Sequence, residues 1–171
     1  MKTVALISVE EYLSSRYDPD CDYVDGEVRE RNVGEQDHSR MQTLLCLYLG
    51  QREKQWNIRV FTEQRVQVKQ TRFRIPDLCA VAGRRPAEQV FKAPPLLCVE
   101  ILSPDDTLES LQERIDDYLA FGVSCVWVIS PRTRRGWVYA PDSIVEAKDG
   151  VLRVAGTEIA VPLVDLFDKE D

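Results

Sequence analysis

Asp77 and Glu100 are the residues best placed to do chemistry, because each is an acid set in an apolar run. Asp77 follows Ile75-Pro76 and heads Leu78-Cys79-Ala80-Val81, and Glu100 interrupts the run from Leu96 to Leu102. Both segments have the composition of interior β-strands, apolar on both faces. Strand alternation puts Glu100 on one face with Cys98 and Leu102, and Asp77 on one face with Ile75 and Cys79. An ionised carboxylate buried without a partner is costly, so it shifts its pKa, pairs with a cation or holds a metal. Two such acids on neighbouring strands, in a chain with one histidine, point to a hard, oxygen-liganded cation. A structural pair salt-bridged to core arginines satisfies the same constraint.

The elements that must position these acids follow from hydrophobic periodicity. Ser8 followed by Glu11 forms a capping box that opens a short helix over 9–17. Asp25-Gly26 tolerates the positive φ of a type I′ turn, so Tyr23 to Val28 is expected to form a tight hairpin. Met41, Leu44, Leu45, Tyr48 and Leu49 recur at helical spacing, giving an amphipathic helix over 37–54. Alternation over 57–68 predicts one long strand, followed by the two strands that carry the acids. After Ser103-Pro104, Asp105, Asp106 and Thr107 supply an N-cap and first-turn negative charge. Leu108, Leu111, Ile115, Tyr118 and Leu119 then form one helical stripe, which Gly122 ends. An apolar strand over 123–129 precedes short strands near 137–139, 144–145 and 151–154, and 162–167 closes as one helical turn. The expected fold is α/β, a mixed central β-sheet flanked by helices with a β-rich C-terminal part, in one domain over 1–171.

Composition narrows the classes. The chain has 171 residues, 44% of them hydrophobic and 30% charged, as in an ordinary globular protein. A formal net charge of −7 argues against a protein that coats nucleic acid by neutralising phosphates, yet leaves room for an enzyme with a local basic cleft. The clusters Arg72/Arg74, Arg84/Arg85 and Arg132/Arg134/Arg135 read as solvated turns. The five cysteines are irregularly spaced, without the clustered ligands of a zinc site, and fit small hydrophobes in a reducing cytosol. The segment Met1 to Ile7 turns polar too early for a signal peptide, and no apolar run approaches the ~20 residues of a membrane helix. A cytoplasmic, non-membrane protein is expected.

Tyr23-Val24-Asp25-Gly26-Glu27, His38 at the start of the long helix, Pro76-Asp77, Val99-Glu100-Ile101-Leu102-Ser103-Pro104, and Tyr118 through Gly122-Val123 to Trp127 together carry a resemblance. In order, spacing and context they resemble the PD-(D/E)XK nuclease superfamily and, more narrowly, the Uma-type restriction-endonuclease family, over roughly 12–167. The resemblance implies a restriction-endonuclease-like fold and a magnesium ion, with manganese able to substitute, held by Asp77, Glu100 and the main-chain carbonyl of Ile101. It further implies hydrolysis of DNA phosphodiester bonds by a homodimer. The lysine that the superfamily places two residues after the Glu is Leu102 here. Uma-type relatives carry a lysine on the following helix instead, where this chain has Arg114. Arg114 borders the stripe of Leu111 and Tyr118, so it can turn toward the carboxylates or pair on the surface with Glu113 or Asp117. It can hold a phosphate, but it cannot accept a proton.

His38, by the same resemblance, orients water, contacts phosphate or joins the outer shell of the ion; alternatively it merely starts the helix. Glu27 and Glu35 are candidate outer-shell acids or solvated surface groups. Trp127 and Trp137 read as core, and Ser103 has no histidine placed to activate it. Leu102, Arg114 and the acidic total charge favour the rival reading, a catalytically weak or inactive nuclease-fold module that binds or regulates. A metal hydrolase of another phosphate ester, such as RNA or a nucleotide, is a third reading.

Overall fold

The structure, a computed structural model, describes residues 6–31 and 35–167; most of the amino-terminal stretch considered for a signal peptide lies outside them. The first half contains α1 (Val9–Ser14), β1 (Asp22–Val24), β2 (Glu27–Arg29), α2 (Gln36–Gly50), α3 (Glu53–Trp56), β3 (Ile58–Thr62), β4 (Val66–Lys69) and β5 (Arg72–Arg74). The second contains β6 (Leu78–Ala82), β7 (Leu97–Ile101), α4 (Leu108–Phe121), β8 (Cys125–Ser130), β9 (Arg135–Ala140), β10 (Ser143–Glu146), β11 (Val151–Arg153), β12 (Ala160–Pro162) and a closing 3-10 turn, Leu163–Leu166.

A six-stranded mixed sheet, ordered β10-β9-β8-β7-β6-β3, forms the centre. Its one parallel pair is β7 with β8, and α4 supplies the crossover that parallel neighbours require. The middle strands are apolar on both faces because both faces are covered. On one side Met41, Leu45 and Leu49 of α2 pack with Leu78, Ala80, Leu97, Val99 and Trp127; the β11–β12 hairpin adds Leu152 and Val161, and the 3-10 turn adds Leu163. On the other side Leu111, Ile115 and Tyr118 of α4 meet Cys79, Cys98, Val126 and Val128. Gly136 admits the second hairpin: a Cβ there would lie 3.0 Å from Leu152 and 3.2 Å from Leu163. The fold class is the expected mixed α/β one, with strands dominating the C-terminal part.

Local signals hold at several places. Ser8 Oγ accepts from Glu11 N at 3.1 Å, Asp25 and Gly26 take φ of 51° and 103°, and Thr107 Oγ1 caps α4 by accepting from Ser110 N at 3.1 Å. All five cysteines are free, and only Cys46 is less than fully buried. Among the described residues no helix is long and apolar enough to cross a membrane.

Four expectations need correction. The first helix ends at Ser14, and the helix expected over 37–54 is two, broken after Gly50. The long strand over 57–68 is also two strands in different sheets: Glu63 takes φ 50°, β3 stays in the central sheet, and β4 joins a second sheet ordered β2-β1-β5-β4. Arg74, read as part of a solvated turn, is 2% exposed. In β5, Phe73 points into the aromatic cluster of Tyr12 and Tyr23, so alternation turns Arg72 and Arg74 toward α4. There Arg74 meets Asp22 at 3.0 Å and Asp117 at 2.7 Å, and Arg72 meets Asp117 at 3.0 Å.

This cluster ties the small sheet to α4. Removing one partner of a buried ion pair typically costs about 3–5 kcal/mol. Asp117→Ala is expected near the lower figure, about 3 kcal/mol by urea unfolding, because Asp22 and Glu113 still face Arg74. A loss below about 1 kcal/mol, the worth of an exposed pair, would refute the role given to the cluster.

Candidate active site

β6 and β7 pair antiparallel with Leu78 opposite Val99 and Cys79 opposite Cys98. Continuing that register by one place sets Asp77 opposite Glu100, both 5% exposed. The register thus brings together two acids that lie far apart in the chain. Asp77 precedes the strand, where its Oδ2 accepts from Ile101 N at 2.7 Å and ties the two strand ends together.

Both helices reach this floor. From α2, His38 Nε2 approaches Asp77 Oδ2 at 3.2 Å, and Gln42 Nε2 donates to the Asp77 carbonyl at 2.8 Å. Arg31, beyond β2, donates to Asp77 Oδ1 at 2.7 Å. From α4, Arg114 Nε donates to Glu100 Oε2 at 2.9 Å and Tyr118 Oη donates to Oε1 at 2.7 Å. Arg114 therefore turns inward, away from the surface pairing with Glu113 or Asp117. Its second nitrogen donates to Asp106 Oδ1 at 2.9 Å. Asp106, expected to help cap the helix, instead accepts from Ser103 N at 2.8 Å and braces Arg114.

Burial pushes the Glu100 carboxyl up from the ordinary carboxylate range; Arg114 opposes this and the Asp77 charge adds to it. Burial pulls the His38 imidazole down, but its hydrogen bond to Asp77 and that carboxylate's charge outweigh it, so the net direction is up. His38 is therefore biased toward the charged form and acts as a donor to Asp77.

These groups line a cleft of about 260 Å³. Its walls carry seven carboxylates (Asp22, Glu30, Asp77, Glu100, Asp105, Asp106, Glu113) against four guanidinium groups (Arg29, Arg31, Arg74, Arg114), with no lysine among the described residues. Negative charge is left over, and the oxygen donors suit a hard divalent ion. Among the described residues no three His, Cys, Asp or Glu side chains converge as a metal cluster. An ion here would rest on Asp77, Glu100, a main-chain oxygen such as that of Ile101, and water, which is the sparse protein coordination that magnesium accepts.

Other candidates lie apart from this floor. Glu27 pairs with Arg29 at 3.3 Å and is 38% exposed, and Glu35 is exposed before α2 with no capping bond. Trp127 is buried, its Nε1 donating to the Arg153 carbonyl at 3.2 Å. Ser103 lines the cleft. Arg31 and Gln42 escaped the sequence reading. Gln42 had a signal, since it follows His38 by four places on one helix face. Arg31 had none.

The model of the Uma2 family, described as "Putative restriction endonuclease", matches residues 9–161. The chain belongs to this family. The fold also matches a crystal structure described as a "putative nuclease" of the DUF820 group from Anabaena variabilis. The TM-score is 0.81 at 23% identity, covering 94% of this chain and 97% of that one. No curated protein is significantly similar to the chain in sequence.

If Arg114 compensates Glu100, the two are energetically coupled. Arg114→Met is expected to cost about 3 kcal/mol, the penalty for orphaning a buried charge. In a Glu100→Gln background the same substitution should cost about 2 kcal/mol less, a coupling measurable by a double-mutant cycle of urea unfolding. Additive losses would show that the two groups do not depend on each other.

Proposed function

We propose that this Uma2-family chain is a metal-dependent endonuclease that hydrolyses DNA phosphodiester bonds. The observation that carries the proposal is Asp77 set opposite Glu100 by the β6–β7 register at the floor of an acid-rich cleft. Asp77, Glu100 and the Ile101 carbonyl would hold magnesium or manganese. Such an ion, when bound, lowers the pKa of water and offsets charge on the phosphate. The chain's own groups do the rest. Tyr118 and Arg114 fix the orientation of Glu100, and Gln42 and the Ile101 amide fix that of Asp77. Arg31 and Arg114, held in pairs with Asp77 and Glu100, keep positive charge beside the reaction centre, but neither can take the proton from water. His38, biased toward its charged form, is a donor. With Leu102 and Arg114 where relatives carry lysine, proton removal is left to water and to the charge surrounding it.

Two further parts of this reading are homodimeric assembly and a cytoplasmic setting. The family resemblance supports the first, and five free thiols in an ordered fold support the second.

A second reading rests on a specific observation: both carboxylates already carry guanidinium partners. A catalytically weak member of the fold that binds or regulates would look the same. A supercoiled-plasmid assay with magnesium or manganese decides between them. The nuclease reading expects metal-dependent nicking that falls at least about 10–100-fold in Asp77→Asn and Glu100→Gln, because even outer-shell partners of a metal site are worth that much. Calorimetric titration of manganese should show uptake by the wild type and a matching loss of affinity in both variants. Absence of nicking together with absence of divalent binding would leave the binding module standing.

A further inference from the structure

The cleft poses an electrostatic problem. Its carboxylates outnumber its guanidinium groups, and every arginine on its walls is held in an ion pair: Arg29 with Glu113, Arg31 with Asp77, Arg74 with Asp117 and Arg114 with Glu100. A polyanion gains little from such cations, because most nucleic-acid affinity comes from freely available charge that neutralises phosphates. Affinity must therefore come from outside the reaction centre.

The surface beside the cleft carries arginines of a different standing. A second hollow of about 220 Å³ adjoins the cleft, His38 and Ser103 lining both. A third of about 230 Å³ continues from it, with Asp37 and Pro131 shared. Through these shared residues the three hollows lie in series, from the carboxylates past the turn between β8 and β9 to Phe167. That turn and the first residue of β9 carry three arginines of different standing. Arg135 is committed, paired with Glu146 through two nitrogens at 2.6 and 2.7 Å and laid over Trp137. Arg132 lines the second hollow, is exposed, and has no ion-pair partner among the described residues. Arg134 lines the third and lies over the Phe167 ring at 5.2 Å, which fixes its direction without neutralising it.

Arg134 also has φ 54°, a left-handed conformation that glycine or asparagine adopts more readily than arginine. A turn built for stability alone would not favour arginine there. Strain held at one residue is a common mark of a functional position.

We propose that Arg132 and Arg134 form a phosphate track: they seat the phosphodiester backbone of the nucleic-acid strand beyond the bond that lies at Asp77 and Glu100. Glu35 and Asp37 line the same hollow as Arg132, and their charge would turn the strand toward the arginines. The track deepens the nuclease reading and rests on it for the position of the reacting bond, but binding can be measured without cleavage.

The test is fluorescence anisotropy of a labelled short DNA duplex and of its single strand, in magnesium and in EDTA, across a salt series. Arg132→Gln with Arg134→Gln should weaken binding about tenfold and lower the salt slope by about two, the effect of two lost phosphate contacts. Arg84→Gln with Arg85→Gln, exposed at the end of β6 far from Asp77, should change neither. Arg134→Gly separates ligand from structure: a Tm equal to or above wild type with weakened binding supports the track. A lowered Tm with unchanged binding overturns it, as does wild-type binding in the double variant or no binding by the wild type. Plasmid nicking by both wild type and double variant, with equal affinities, would sink the track and leave the nuclease reading intact. Weakened binding with no nicking at all would do the reverse.

Discussion

Two like charges stand on adjacent strand ends inside an apolar sandwich, and the surrounding structure is arranged around their compensation. At that depth one carboxylate would take up a proton unless cations or donors came within hydrogen-bond range. Each acid receives its own set. Asp77 has Arg31, His38 and the Ile101 amide, and Glu100 has Arg114 and Tyr118. Because α2 contributes to one set and α4 to the other, the helices on the two faces of the sheet are tied to one point. Apolar packing brings the helices to the sheet without fixing their rotation; the polar contacts add that directional constraint.

The second buried ion cluster acts one step upstream. Arg31 follows β2, so its reach to Asp77 depends on where the small sheet sits. That sheet is joined to α4 by Arg74, which bonds Asp22 of β1 and Asp117 of α4, and Asp22 Oδ1 also accepts from Ile75 N at 3.1 Å, just before Asp77. Placement of β1 and β5, the course of the chain into Pro76-Asp77 and the position of Arg31 therefore share one set of contacts. Damage at Asp117 reaches the cleft through this chain of bonds, although Asp117 does not line it.

The strands bearing Asp77 and Glu100, the two major helices and the Asp-Gly hairpin were legible because each is written in local pattern: apolar runs, helical spacing, turn chemistry. The strand break was not, since Glu63 to Arg65 carry no proline or glycine and continue a plausible period; the helix break had one signal, Gly50, outweighed by the polar run that follows it. Arg74 was misread for a related reason. Alternation in Arg72-Phe73-Arg74 shows that both arginines share a face, but only tertiary packing shows that Asp22 and Asp117 lie under it. Arg114 allowed two readings on the helical wheel, and Asp106 helps to decide between them by bracing the inward one. Arg31 lies on no periodic element, so its contact with Asp77 could only come from coordinates.

The arginines of this chain divide by what they already satisfy. Those inside the cleft are bound to carboxylates, and moving one onto a phosphate would expose an acid at the same time; such exchange gains selectivity for a partner that brings its own positive charge, but little affinity. Arg132 and Arg134 have no carboxylate partner among the described residues. On the proposed reading, a strand drawn in by the outer pair would meet an inner site whose surplus of acids disfavours it until a cation is present. On that same reading, this separation would let attraction and reaction respond to different ions, monovalent salt at the turn and a divalent ion at the floor. A net charge of −7 is thus compatible with a nucleic-acid substrate, because the decisive quantity is where the uncommitted positive charge lies.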